Sequence, residues 1–419
     1  MWTTIRNSWP LLFGMLLLMM GQGLLATLLT LRASGLGFGD GAIGLLQAGY
    51  PAGQIAGCLL APRLVERAGH ARTFGALASI ASAAALLHLV THDPVSWAAM
   101  RLVTGFAYAG LFIVAESWLN GHATNRNRGT LLSVYFVTQA VGNSAGQLFL
   151  GFSDPQAVLL FVVVSVLISL ALVPILLVSQ VAPRFERPEH LSWRELFGLS
   201  PMGVTGTLLN GVSQGALYVG LPLYATRLGA EPAAAGLFIV ALSLGGIASQ
   251  FPVGRLSDRV DRRHVIVGMA ALAALAALWP ALGPALGGTP DPLARYALVA
   301  LLGALVLPGY SVCLAHTNDH LEPGQIVAAS GAMVLILGLG ITLGVAAGPG
   351  AIERLGPAGL FWLIAAVQAL TVTTALFRLW RGAAPAETRG TAVAVGQAST
   401  PMAARLNPDS PFRADGGQP

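Results

Sequence analysis

Residues 254–263 read Gly254-Arg255-Leu256-Ser257-Asp258-Arg259-Val260-Asp261-Arg262-Arg263. Six of the ten are charged, and apolar runs at 233–253 and 264–282 stand on either side. A helix rises about 1.5 Å per residue, so about 20 apolar residues cross a hydrocarbon core roughly 30 Å thick. Each flank is about that long. The ten residues therefore read as a short aqueous loop joining two membrane-spanning helices.

Working outward, ten further runs of similar length appear: 9–31, 42–60, 73–91, 97–119, 130–151, 156–179, 202–225, 294–316, 326–347 and 358–379. Composition agrees. Apolar residues make up 55% of the chain and charged residues 10%, whereas a soluble domain carries roughly a quarter of its residues as charges. Mean hydropathy is +0.70. So few charges cannot coat a water-facing surface, and the expectation is an all-α polytopic membrane protein with twelve spans.

The net charge is +5, and every basic residue is arginine. These arginines sit in short loops, with no basic domain, so a nucleic-acid partner is not implied. One alternate set of loops holds Arg6, then Arg63, Arg67 and Arg72, then Arg126 and Arg128, then Arg184, Arg187 and Arg194, then Arg255, Arg259, Arg262 and Arg263. The opposite loops hold Arg32, Arg227, Arg295 and Arg354. Positive charge is retained on the cytoplasmic side, which predicts an inner-membrane protein with both termini cytoplasmic. The loop 317–325 departs from that pattern, having Asp319, His320 and Glu322 but no arginine.

The longest internal loop, 180–200, divides the spans six and six: 1–179 and 201–380 read as two helical bundles. Within the loop, Ser192-Trp193-Arg194-Glu195 has the spacing of a capping box, which predicts a short interfacial helix. The tail 381–419 is rich in Ala, Pro, Gly and polar residues and reads as disordered. Shifting the chain by 192 residues aligns the bundles without a gap. Gln22-Gly23 falls on Gln214-Gly215, Gly53 on Gly245, and Arg63-Leu64 and Arg67 on Arg255-Leu256 and Arg259. Between 22 and 67, 17 of 46 positions are identical. Shared composition explains the Leu and Ala matches; it does not explain the Gln-Gly, Gly and Arg-Leu-x-x-Arg matches in one register. Such internal symmetry is a mark of transporter repeats.

With the repeat in hand, the loop at 254–263 resembles the signature of the major facilitator superfamily, Gly-x-Leu-x-Asp-Arg-x-Gly-Arg-Arg/Lys. Asp261 stands where that pattern has Gly, and the first-half copy is weaker, with Pro62 and Glu66 at the Gly and Asp positions. Arg101-x-x-x-Gly105 resembles the family's second motif. Glu116-Ser117-Trp118-Leu119-Asn120, Arg128-Gly129 and Gly69-His70 are most similar to the YcaD-like branch. The resemblance covers about residues 10–380. It implies two pseudo-symmetric six-helix bundles, a secondary transporter, and a loop network of Glu66, Arg67, Asp258, Arg259 and Arg262 that holds one conformational state. The competing reading is a solvated loop that obeys only the charge rule.

Polar side chains inside spans are costly and usually face a cavity or another helix. Tyr135, Gln139, Asn143 and Gln147 recur every fourth residue, as do Asn210, Gln214 and Tyr218, so each set lies on one helix face. Gln47, Tyr50 and Gln54 form a third stripe. The superfamily resemblance makes Gln22, Arg101, Tyr108, Gln214, Tyr218 and Tyr310 cavity-lining, with Gln139 and Asn143 reachable from span five. For any single amide, a hydrogen bond between helices is the plainer account. Arg101 has three readings: its head snorkels to the interface, finds a partner, or faces a substrate with a carboxylate or similar acceptor. Glu116, near the cytoplasmic end of span four, either joins the arginine loops or couples protons. His316 is its mate at an offset of 200, and Asp319 follows it in the arginine-free loop.

Cys58 and Cys313 have no paired spacing, and there is no nucleophile-base set, phosphate loop or metal-ligand cluster. No cofactor and no enzymatic activity are implied. The expected function is transport of a small organic solute across a lipid bilayer by a monomer, with protons as the coupling ion. The alternatives are a sensor or assembly subunit on the same fold and, within transport, a drug or metabolite efflux antiporter. Span five lacks the Gly-Pro-rich motif of many antiporters in the superfamily, which weighs against the last.

Overall fold

The computed structural model describes residues 2–122, 128–177, 192–283, 291–321, 325–381 and 400–402. Arg126, Arg184, Arg187, Glu322 and most of the tail lie outside them. Among the described residues the first six spans are α1 (Trp2–Gly35), α2 (Asp40–Ala68), α3 (His70–Leu87), α4 (Pro94–His122), α5 (Arg128–Leu148) and α6 (Leu159–Leu177). A short helix follows, α7 (Trp193–Leu199). The second six spans are α8 (Pro201–Arg227), α9 (Pro232–Arg259), α10 (Arg262–Leu282), α11 (Pro292–Val306) continued by α12 (Gly309–Asn318), α13 (Ile326–Leu355) and α14 (Gly359–Arg381).

Among the described residues, seven spans are long and apolar enough to cross a membrane taken alone: those at 9–35, 94–119, 232–259, 262–282, 293–318, 328–355 and 359–380. The polar stripes fall in the less apolar helices α2, α5 and α8. The span expected at 294–316 is broken after Val306, where Pro308 cannot supply the N–H that would continue the helix. The helices also outrun the apolar runs, because helical hydrogen bonding does not stop at the lipid boundary. Before α7, the Ser192 hydroxyl accepts from the Glu195 N–H and the Glu195 carboxylate accepts from the Ser192 N–H, the reciprocal cap expected from the sequence.

Packing repeats between the halves. In the first, α2 packs on α4, α1 on α5 and α6, and α3 on α4 and α6; in the second, α9 packs on α11, α8 on α13 and α14, and α10 on α11 and α14. The α2–α4 crossing needs Gly53 and Gly105, where a Cβ would lie 2.0 Å from the Leu102 carbonyl oxygen and 1.9 Å from that of Tyr50. The α9–α11 crossing repeats the device with Gly245 and Gly303, at 1.8 Å from Ala300 O and 2.0 Å from Leu242 O. Small residues let backbones approach where lipid gives no hydrophobic drive for helix association.

Between the halves, α2 packs on α13, α5 on α9 and α1 on α8. At named residues these contacts run from mid-helix, where Gly338 meets Ile55, to the end away from the arginine-rich loops, where Gly44 meets Ala346 and Gly236 meets Gln147.

Candidate transport pathway and its gates

At the arginine-poor end, an ion pair crosses the halves. Asp40 begins α2 and is 4% exposed. Its carboxylate accepts from Arg227, the last residue of α8, through Nε at 3.1 Å and also through Nη2. Beside it, the Gly41 N–H donates to Glu353 Oε2 at 3.1 Å. The free N–H groups of a helix start favour an anion, so Glu353 from α13 clamps α2 of the other half. Gly151 and Ala233 close the same seam: a Cβ on Gly151 would stand 3.7 Å from that of Ala233. None of these residues was a sequence candidate. Asp40 and Arg227 are 187 positions apart, and no local pattern connects them.

Deeper in the first half, Arg101 is 3% exposed. Its guanidinium lies over the Tyr50 ring at 4.4 Å, and Nε and Nη1 have no hydrogen-bond partner among the described residues. It neither snorkels nor forms an ion pair among the described residues. Tyr50 and Tyr108 meet edge to face at 6.0 Å, the Tyr108 hydroxyl donates to the Leu18 carbonyl, and Gln54 donates to the Tyr50 hydroxyl. Gln22 stands one turn beyond Leu18 on α1, buried, with no partner for its Oε1 among the described residues. The result is a buried polar cluster between α1, α2 and α4 with unmet donor and acceptor capacity.

The other cavity candidates divide. Gln147 donates to the Gly23 carbonyl and Asn210 to that of Val306, both at 2.8 Å, so these amides join helices. Gln214, the repeat mate of Gln22, donates to Asn210 Oδ1 at 2.6 Å and leaves its own Oε1 unpartnered. Gln139 and Tyr310 are buried, with Gln139 Nε2 and the Tyr310 hydroxyl unpartnered among the described residues. Asn143 and Tyr218 are partly exposed; a Cβ on Gly23 would collide with Asn143, which places α5 against α1.

At the arginine-rich end, Arg262 is 2% exposed and forms an ion pair through Nε with Asp319 at 2.9 Å and another with Asp258 at 3.5 Å. Asp319, from the arginine-free loop, thus balances Arg262 of the neighbouring loop. Asp261 caps α10, accepting from the Arg263 N–H at 2.9 Å and from its guanidinium; those hydrogen bonds hold the carboxyl down at about 2. This explains the departure from Gly at that motif position: Asp is a good N-cap. Glu66, Arg67 and Arg259 are exposed. His316 is buried and meets the His320 ring edge-on at 4.7 Å.

Two separate sequence motifs converge nearby. His70 Nε2 and Ser117 Oγ are 2.8 Å apart, and the His70 ring stacks on Trp118 at 6.0 Å. The next residue back, Glu116, is wholly buried. It accepts from the Tyr135 hydroxyl at 3.4 Å and from Thr400.

This geometry is a two-fold helical shell with polar, partly unsatisfied side chains at its centre and charged clamps at its ends. The sequence profile of the Major Facilitator Superfamily matches residues 11–230 and again 203–408. The chain belongs to that superfamily and is a multi-pass membrane transporter. It is 30% identical over 353 residues to the uncharacterized MFS-type transporter YcaD of Escherichia coli, a match covering 82% of this chain and 88% of that one. An uncharacterized MFS-type transporter of Yersinia pestis is 29% identical over 344 residues, 81% and 86% of the two chains. Among solved structures, the nucleoside transporter NupG superposes with a TM-score of 0.73 at 12% identity, covering 89% of this chain and 98% of its own. The D-xylose–proton symporter superposes at 0.70 with 14% identity, covering 92% and 99%. At such identities these two speak to the fold alone.

Proposed function

We propose that the chain is a gradient-driven transporter of a small organic solute that carries a carboxylate or an equivalent acceptor. It works by alternating access between the halves 1–179 and 201–380, which rock about the linker 180–200, with the tail 381–419 attached. The observation that carries the substrate reading is Arg101, a buried guanidinium with Nε and Nη1 unpartnered. A planar, permanently charged fork of donors fits a carboxylate bidentately. The arginine-rich end is cytoplasmic by the charge rule, both termini with it, in a bacterial inner membrane. The arrangement described, joined at the arginine-poor end, is the inward-facing state of a monomer. Protons are the coupling ion; a carboxylate as deeply buried as Glu116 supports that choice.

The test is a thermal-shift screen of the purified protein against organic acids and neutral metabolites, followed by flux in proteoliposomes with and without a pH gradient. Each hydrogen bond to a charged group contributes about 1.5–3 kcal/mol. Arg101→Ala removes both bonds of that pair, about 3–6 kcal/mol, and should therefore weaken a carboxylate ligand by about 150-fold or more, with normal membrane insertion. Unchanged affinity removes Arg101 from the site. A confirmed ligand without flux moves the protein to the sensor class.

A further inference from the structure

The C-terminal tail looks from its composition like a segment with no place in the bundle. Three of its residues have one. Thr400 is 2% exposed and Met402 3%, and Pro401 lies between them. The Thr400 backbone N–H donates to both Glu116 oxygens, at 3.2 and 3.3 Å, and its hydroxyl donates to Oε2. The same hydroxyl oxygen accepts from the Met402 N–H at 3.3 Å, a local turn typical of Thr. Pro401 packs on Gly331 near the start of α13, where a Cβ would come within 3.1 Å of the Pro401 ring.

The placement has a physical logic. A carboxylate taken out of water is costly unless donors surround it. One threonine supplies two donors, and the Tyr135 hydroxyl supplies another. Pro401 has a fixed φ and no N–H to satisfy, and Gly331 offers a flat surface for its ring. Met402, unbranched and adaptable, is buried beside them. Glu116 belongs to α4 in the first half and Gly331 to α13 in the second. The tripeptide therefore stands between the halves at the arginine-rich end, the end that must close when the other opens.

We propose that Glu116, Tyr135 and Gly331 form a peptide-binding site whose ligand is the chain's own Thr400-Pro401-Met402, and that this segment wedges the transporter in its inward-facing state until it leaves. Occupancy of the site stands on the contacts alone; the inhibitory consequence rests on the alternating-access reading above.

Full-length protein in detergent carries the test, with a bulky polyethylene-glycol maleimide as probe and the parent, with its buried Cys58 and Cys313, as background. Met402→Cys should label at least about tenfold more slowly than a cysteine at exposed Ala71, since labelling requires local opening. Thr400→Asp, which sets one carboxylate against another, should bring Met402→Cys to the Ala71→Cys rate. Thr400→Ser, which keeps both donors, should leave it slow. Equal labelling of Met402→Cys and Ala71→Cys with native Thr400, or continued protection in Thr400→Asp, overturns the site. A second reporter, Ala233→Cys in the opposite seam, reads the inhibitory role. Its reactivity should rise when Thr400→Asp releases the tail; an unchanged rate alongside released Met402 refutes the wedge. Neither readout needs a transported solute, so failure here is separate from failure of the transporter reading.

Discussion

Asp40→Asn should open the arginine-poor end. The native carboxylate is almost wholly buried and meets Arg227 through two nitrogens, while the Arg227 side chain is 43% exposed. A hydrogen bond to a charged group contributes about 1.5–3 kcal/mol, and an exposed ion pair about 1 kcal/mol or less. With one partner buried and the other half in water, about 1–2 kcal/mol is reasonable for the pair. Asparagine keeps an acceptor for Arg227 and avoids a stranded charge, and because the N-cap of α2 is Gly39 no side-chain cap is lost. Its effect through helix stability is common to both conformations and cancels. The ratio of outward-open to outward-closed molecules should then rise about 5- to 30-fold. Labelling of Ala233→Cys by a membrane-impermeant maleimide reads that ratio directly. Arg227→Gln should act in the same direction, and the double variant should add little to either single one. Unchanged labelling in Asp40→Asn, or full additivity of the two changes, would refute the assignment of this pair as an outer lock.

Asp319→Asn strips the closer acid from a guanidinium that is 2% exposed. Breaking a buried pair on one side costs about 3–5 kcal/mol; because Asp258 remains at 3.5 Å, the loss seen in thermal unfolding should fall at or below the low end, and Arg262→Met with Asp319→Leu should recover part of it. Gly105→Val puts a Cβ 1.9 Å from the Tyr50 carbonyl oxygen, which only a backbone shift relieves. It should destabilise by about 1–3 kcal/mol or more, whereas Gly75→Ala, with nothing within 4 Å of its Cβ, should stabilise by about 0.5–1 kcal/mol; equal effects on melting temperature would contradict the crossing.

The spans were legible because lipid imposes one constraint on a helix of given length, and hydropathy reads it. The repeat was legible in Gln22/Gln214 and Gly53/Gly245, and the glycines proved to occupy equivalent helix crossings. The polar stripes were legible as faces, but not their division into interhelical donors such as Gln147 and unsatisfied groups such as Gln22. That division depends on which carbonyl a neighbouring helix brings near. Arg101 and Tyr50 were each visible; their stacking needed the α2–α4 crossing. Asp40, Arg227 and Glu353 join three helices across both halves, and the tail's hold on Glu116 spans 284 positions. No periodicity in one sequence encodes pairings of that range.

In the proposed cycle the two halves close at the arginine-poor end and must part there to carry solute. The seam at Gly151 and Ala233, with 3.7 Å between Cβ positions, lies inside the roughly 3.5–4.5 Å range of disulfides. Gly151→Cys with Ala233→Cys should therefore oxidise readily in the full-length protein. In proteoliposomes, flux of an organic acid chosen by thermal shift should stop on oxidation and return on reduction, with each single cysteine unaffected. Undiminished flux through the oxidised, cross-linked protein would contradict the account.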